Sequence, residues 1–102
     1  MDELVVRAPV FLGTDSRVAF YEEALERLTA LVALAPHGGG RLVVDLSRTA
    51  GVDSMGLSTL VQLQLRAAER RMTVALRGVS EEVRFLLLMT GLEDRFDIEG
   101  PA

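Results

Sequence analysis

The run Leu42-Val43-Val44-Asp45-Leu46 is apolar at every position but one. A strand with one wet face alternates apolar and polar residues, and this run does not, so it reads as a strand covered on both faces in a parallel sheet with helices packed on it. It is predicted to be the central strand. Upstream, Leu4-Val5-Val6 is a short apolar run followed closely by Pro9, which cannot donate to a ladder, so it reads as a brief or edge strand that Val10-Phe11-Leu12 extends after a bend.

Between these strands, Thr14, Asp15 and Ser16 offer N-cap oxygens. Tyr21, Ala24, Leu25, Leu28, Leu31, Val32 and Ala35 then recur on one helical face until Pro36 and Gly38-Gly39-Gly40 stop the helix. The glycine run precedes a strand, the wrong order for a phosphate cradle, and reads as a flexible connection. Downstream, Leu57, Leu60, Val61, Leu65, Ala68 and Met72 predict a second helix from about Ser54 to Arg71. Thr73-Val74-Ala75-Leu76 reads as the next strand. Ser80 is a plausible cap for a third helix carrying Val83, Leu86 and Leu87, and Gly91 is its left-handed stop, letting Leu92 fold back onto Leu87. Strands separated by helices of this length imply right-handed crossover units and a small α/β layer structure.

The chain has 102 residues, 49% hydrophobic and 25% charged, and is expected to fold as one domain over 1–102 without disulfides, since it has no Cys. With 11 basic against 15 acidic residues its formal charge is −4, which argues against a nucleic-acid partner. All the basic residues are Arg, so no Schiff-base or phosphate-loop lysine exists. A lone His37 leaves neither a histidine metal site nor a Ser-His-Asp relay to build. No cofactor, metal or catalytic residue is expected. No apolar run approaches the ~18 residues of a membrane span, and the start Met1-Asp2-Glu3 lacks a signal peptide's basic flank, so a cytoplasmic protein without membrane insertion is expected.

The informative stretch is Val52-Asp53-Ser54-Met55-Gly56, in the loop entering the second helix. Sites in open α/β sheets gather at such loops. Asp53 or Ser54 there can simply cap the helix while Gly56 relieves crowding. A phosphate on Ser54 would instead meet the positive end of the helix dipole. A nucleophile elbow is disfavoured, because that turn needs glycine where Val52 stands. Asp45 reads as a polar strand end, and Arg66, Arg70 and Arg71 as the solvated face of the second helix.

From Leu42 to Ile98 the chain resembles a STAS domain of the anti-sigma-factor antagonist type. The resemblance rests on the strand ending Asp45-Leu46-Ser47, then Val52-Asp53-Ser54-Met55-Gly56-Leu57, an Ala- and Arg-bearing helix, a strand, Val79-Ser80-Glu81-Glu82-Val83, and Thr90-Gly91-Leu92 with Phe96. It implies a small STAS-like α/β fold, here with a shortened N-terminal strand region, and a module without catalysis of its own. It further implies binding to an anti-sigma factor or serine-kinase partner through Asp53, Ser54, Met55 and Gly56, with Ser54 as the phosphorylation site that breaks the complex. The alternative is a STAS scaffold or subunit of a transporter or signalling complex that is never phosphorylated.

Overall fold

The computed structural model describes residues 2–100. Four strands, β1 (Glu3–Arg7), β3 (Arg41–Asp45), β5 (Thr73–Arg77) and β6 (Asp97–Ile98), form an all-parallel sheet in that order. The register pairs Val5 with Val43, Val43 with Ala75, and Ala75 with Asp97. Helices α1 (Arg17–Leu34), α2 (Ser54–Glu69) and α3 (Glu81–Met89) each carry the chain from one strand to its neighbour.

The break at Pro9 ends the β1 ladder, and parallel pairing resumes one step further as β2 (Phe11–Leu12) against β4 (Gly51–Val52). The expected extension after a bend is therefore a separate two-residue ladder. The Thr49 hydroxyl, buried beneath the crossing, donates to the Pro9 carbonyl at 2.8 Å. Helix α1 starts without a side-chain cap, contrary to expectation: the Ser16 hydroxyl donates to the Phe11 carbonyl at 2.7 Å and accepts the Gly13 N–H at 3.1 Å.

Side chains alternate along a strand, so one face of the sheet carries the even-numbered residues. Val6, Leu42, Val44, Val74 and Leu76 join one core with Phe20, Leu31, Leu60, Leu63, Val83 and Leu87 from all three helices. The helices thus cover a single face. The expected strand covered on both faces is found, Leu42, Val43 and Val44 all being buried, but helices supply only one of its two covers.

Val43 and Ala75 are fully buried yet outside that core. On their face Arg41 donates to Glu3 at 3.2 Å, to Glu99 at 2.6 Å and to Asp97, while Arg77 donates to Glu99 at 2.8 Å and to Glu3 at 3.1 Å. Long side chains cover apolar surface with their stems while their charged ends stay wet. Here an ion-paired lattice does the work of a second helical layer. Hydrogen bonds from Arg77 and Arg41 hold the Glu3 carboxyl below its ordinary range, and Arg77 does the same for Glu99.

The apolar face of α2 also differs from the expected one. Leu57, Leu60, Leu63 and Ala67 are buried, whereas Leu65 is half exposed and Ala68 is exposed. The glycine run is a positioned turn rather than a loose tether: Gly38 and Gly39 adopt positive φ, and the Gly39 N–H donates to the Arg71 carbonyl at 2.9 Å.

Candidate functional site

The turn between β4 and α2 is built around Asp53, the N-cap of α2. Its Oδ1 accepts the Gly56 N–H at 2.9 Å, and its Oδ2 accepts the Thr14 N–H at 3.2 Å. These donors, Gly56 foremost, hold the carboxyl ionised below its usual range. Of the two cap candidates it is Asp53 that caps.

Two glycines permit the close approach. A Cβ on Gly56 would stand 2.2 Å from the Leu12 carbonyl oxygen, and one on Gly13 would stand 2.4 Å from Asp53 Oδ2. Backbone of β2 therefore passes directly against the first turn of α2, with the Asp53 N–H donating to Leu12 at 3.1 Å.

With Asp53 occupied as the cap, Ser54 becomes the first residue of α2 and its side chain is left over. It is exposed, and among the described residues its hydroxyl makes no hydrogen bond. Met55 beside it is also exposed, while Gly56 is buried. His37 lines a groove at the other end of α2, together with Glu69 and Arg70. That helix has 16 residues, so roughly 24 Å separates its ends and His37 is out of reach as a base for Ser54.

Val52, next to Asp53, lines an apolar groove of about 270 Å³ whose walls are Phe11 and Gly51 on one side and Val83, Phe85 and Leu86 of α3 on the other. Phe85 is 63% exposed, and Leu88 and Met89 further along α3 are as open. The spacing of Val83, Leu86 and Leu87 points to the buried face of α3, but the full run Phe85-Leu86-Leu87-Leu88-Met89 has more apolar residues than one face can bury. That surplus is the signal by which this surface could have been found in the sequence.

The family model described as Mlab, STAS domain, matches residues 19–99. The chain belongs to this STAS family. Among solved structures, a candidate anti-sigma factor antagonist from Thermotoga maritima superposes on this STAS domain with a TM-score of 0.76 at 20% identity, over 95% of this chain and 80% of that one. The same protein solved by NMR gives 0.76 at 17% identity, over 96% and 74%. A sulfate transporter family protein from Wolinella succinogenes gives 0.56 at 20%, over 95% and 76%. Among curated proteins none matches. At these identities the neighbours establish the STAS fold: a mostly parallel sheet with three helices, as expected from the sequence. Among the described residues no group of His, Asp and Glu could hold a metal ion, and no helix is long and apolar enough to cross a membrane.

Proposed function

We propose that this STAS domain is a non-catalytic regulatory module that docks a protein partner across the Asp53–Gly56 turn and the Phe11–Phe85 groove, and that phosphorylation of Ser54 breaks the complex. The observation that carries this reading is the free, exposed hydroxyl at the first position of α2, beside an unpartnered apolar surface. Phosphate there would add about −1.5 to −2 charges next to an aspartate already held ionised. The helix N-terminus tolerates that charge, so the fold survives it. A docked partner does not: the dianion loses hydration and meets Asp53. A penalty of ~2 to 4 kcal/mol weakens binding roughly 30- to 1,000-fold.

The kinship with anti-sigma factor antagonists in fold favours an anti-sigma factor or serine kinase as the partner. The neighbour from the sulfate transporter family favours a second reading, a subunit of a transport complex that uses the same docking surface without phosphorylation. Incubation with a cognate serine kinase and ATP, followed by phosphopeptide mapping, separates them. Phosphate on Ser54 with release of the partner supports the switch. Phosphate on Ser58, also exposed one turn along, or partner binding indifferent to Ser54→Asp, rejects it.

A further inference from the structure

On the far part of α2 a second surface is left unused by the reading above. Between α1 and α2 runs a groove of about 280 Å³, with Leu25, Leu28 and Val32 as its floor and Arg66 and Arg70 on its wall. It continues, through Val32 and Arg70, into a recess of about 290 Å³ that adds Arg71. Arg66, Arg70 and Arg71 are exposed, and among the described residues none of them pairs with a carboxylate. What sets these three apart from the chain's other arginines is that they gather along one groove with an apolar floor.

The backbone at Arg71 points the same way. Helix α2 ends with the Arg71 N–H donating to Ala68 at 3.0 Å and the Met72 N–H to Ala67 at 2.9 Å, and Arg71 sits at φ 60°. Helix α3 ends with the same pair of bonds, Gly91 to Leu88 at 3.1 Å and Leu92 to Leu87 at 2.9 Å, and there the left-handed position is glycine at φ 69°. Glycine is the residue this motif favours. A side chain kept at a disfavoured backbone position is a pointer to use.

We infer that the α1–α2 groove docks an acidic, leucine-bearing helical segment of a partner protein, whose carboxylates pair with Arg66, Arg70 and Arg71 and whose apolar side chains lie on Leu25, Leu28 and Val32. Guanidinium forks match discrete carboxylates bidentately. An anionic membrane is the poorer occupant: Leu25, Leu28 and Val32 lie at the floor of a groove, which a helix can enter and a flat bilayer surface cannot. This inference stands apart from the Ser54 switch.

The test is fluorescence anisotropy with a labelled synthetic amphipathic helix bearing Glu and Leu, against a twin with Gln for every Glu, alongside flotation with phosphatidylglycerol vesicles. The acidic peptide should bind, and the Gln twin should bind at least about tenfold more weakly. Arg66→Gln and Arg70→Gln should each weaken binding about tenfold, whereas Arg95→Gln, outside the groove, and Ser54→Asp should leave it unchanged. Arg71→Gly should lose affinity likewise while melting no lower than the parent, because glycine relaxes the left-handed position. The inference is overturned if the acidic peptide fails to bind, if the Gln twin binds equally, if the groove variants keep affinity within about twofold, or if vesicles carry the protein while the peptide stays free.

Discussion

Asp53 joins two segments 39 residues apart: one carboxylate oxygen caps α2 at Gly56 while the other holds the Thr14 N–H at the end of β2. Loss of this residue therefore unfastens a helix start and a strand end together. Asp53→Ala is expected to lower the melting temperature by roughly 4–8 °C, the shift of a lost cap in a domain of this size. Asp53→Asn keeps an acceptor for Gly56 but turns an amide donor on Thr14, so it should fall between the two. Thermal unfolding followed by circular dichroism ranks them, and equal stability of all three would show that the joint carries no weight.

Gly56 sets a second expectation, decided by comparing two effects. Inside a helix Ala is favoured over Gly by about 1 kcal/mol. At this position, however, the added Cβ lies 2.2 Å from the Leu12 carbonyl oxygen, a backbone atom that cannot rotate away. Forced separation of β2 from α2 should cost about 3 kcal/mol, the upper end of overpacking, so Gly56→Ala is expected to be net destabilising by ~2 kcal/mol. Urea unfolding measures it. A stabilised variant would mean that the two segments part freely.

How far the sequence foretold this depends on which physical signal each residue leaves. Elements marked by punctuation were legible: Ser80 does cap α3, its Oγ accepting the Val83 N–H at 3.2 Å, and Gly91 does stop it. The face of α2 was not, because Leu60, Val61, Leu63 and Leu65 are apolar on several sides and periodicity alone does not rank them. Strand β6 has two residues and is held by Phe96 in the core and by Asp97 and Glu99 on Arg41, contacts of long sequence separation that no local pattern encodes. The charged lattice was hidden for the same reason. At the site, the residue types of the Asp53–Gly56 turn were legible, but the choice of Asp53 as cap depends on Thr14, and the Phe11–Phe85 groove depends on β2 crossing to α3.

That lattice predicts an acid limb in stability. Glu3, Glu99, Asp45 and Asp53 all have carboxyls lowered in the fold from ordinary values of 4.5 for Glu and 3.8 for Asp, by Arg77 and Arg41, by Arg77, by Ser47 and by Gly56 respectively. A carboxylate lowered on folding stabilises fully above its unfolded value and progressively less as the pH falls toward its folded one. The melting temperature should therefore be level from neutrality to about pH 5 and drop below it. Glu99→Gln should flatten the drop, and high salt should lower the plateau by screening exposed pairs. An acid limb as steep in Glu99→Gln as in the parent would remove Glu99 from the account.

Phe85 tests the docking face separately from the switch. Its ring is 63% exposed on α3, so its removal takes little from the core, and Phe85→Ala should change stability by no more than ~0.5 kcal/mol. Aromatic anchors seated in a partner's pocket commonly account for 2 kcal/mol or more of binding, so the same variant should weaken partner binding by about 30-fold or more. Ser54→Asp should likewise keep the fold and lose the partner. Calorimetric titration of the parent, the two single variants and the double variant decides whether both residues belong to one interface: neighbours in one docked surface couple, and the double variant then loses less than the sum. If Phe85→Ala binds as the parent does, the groove beside Val52 is not where the partner sits, whatever Ser54 does.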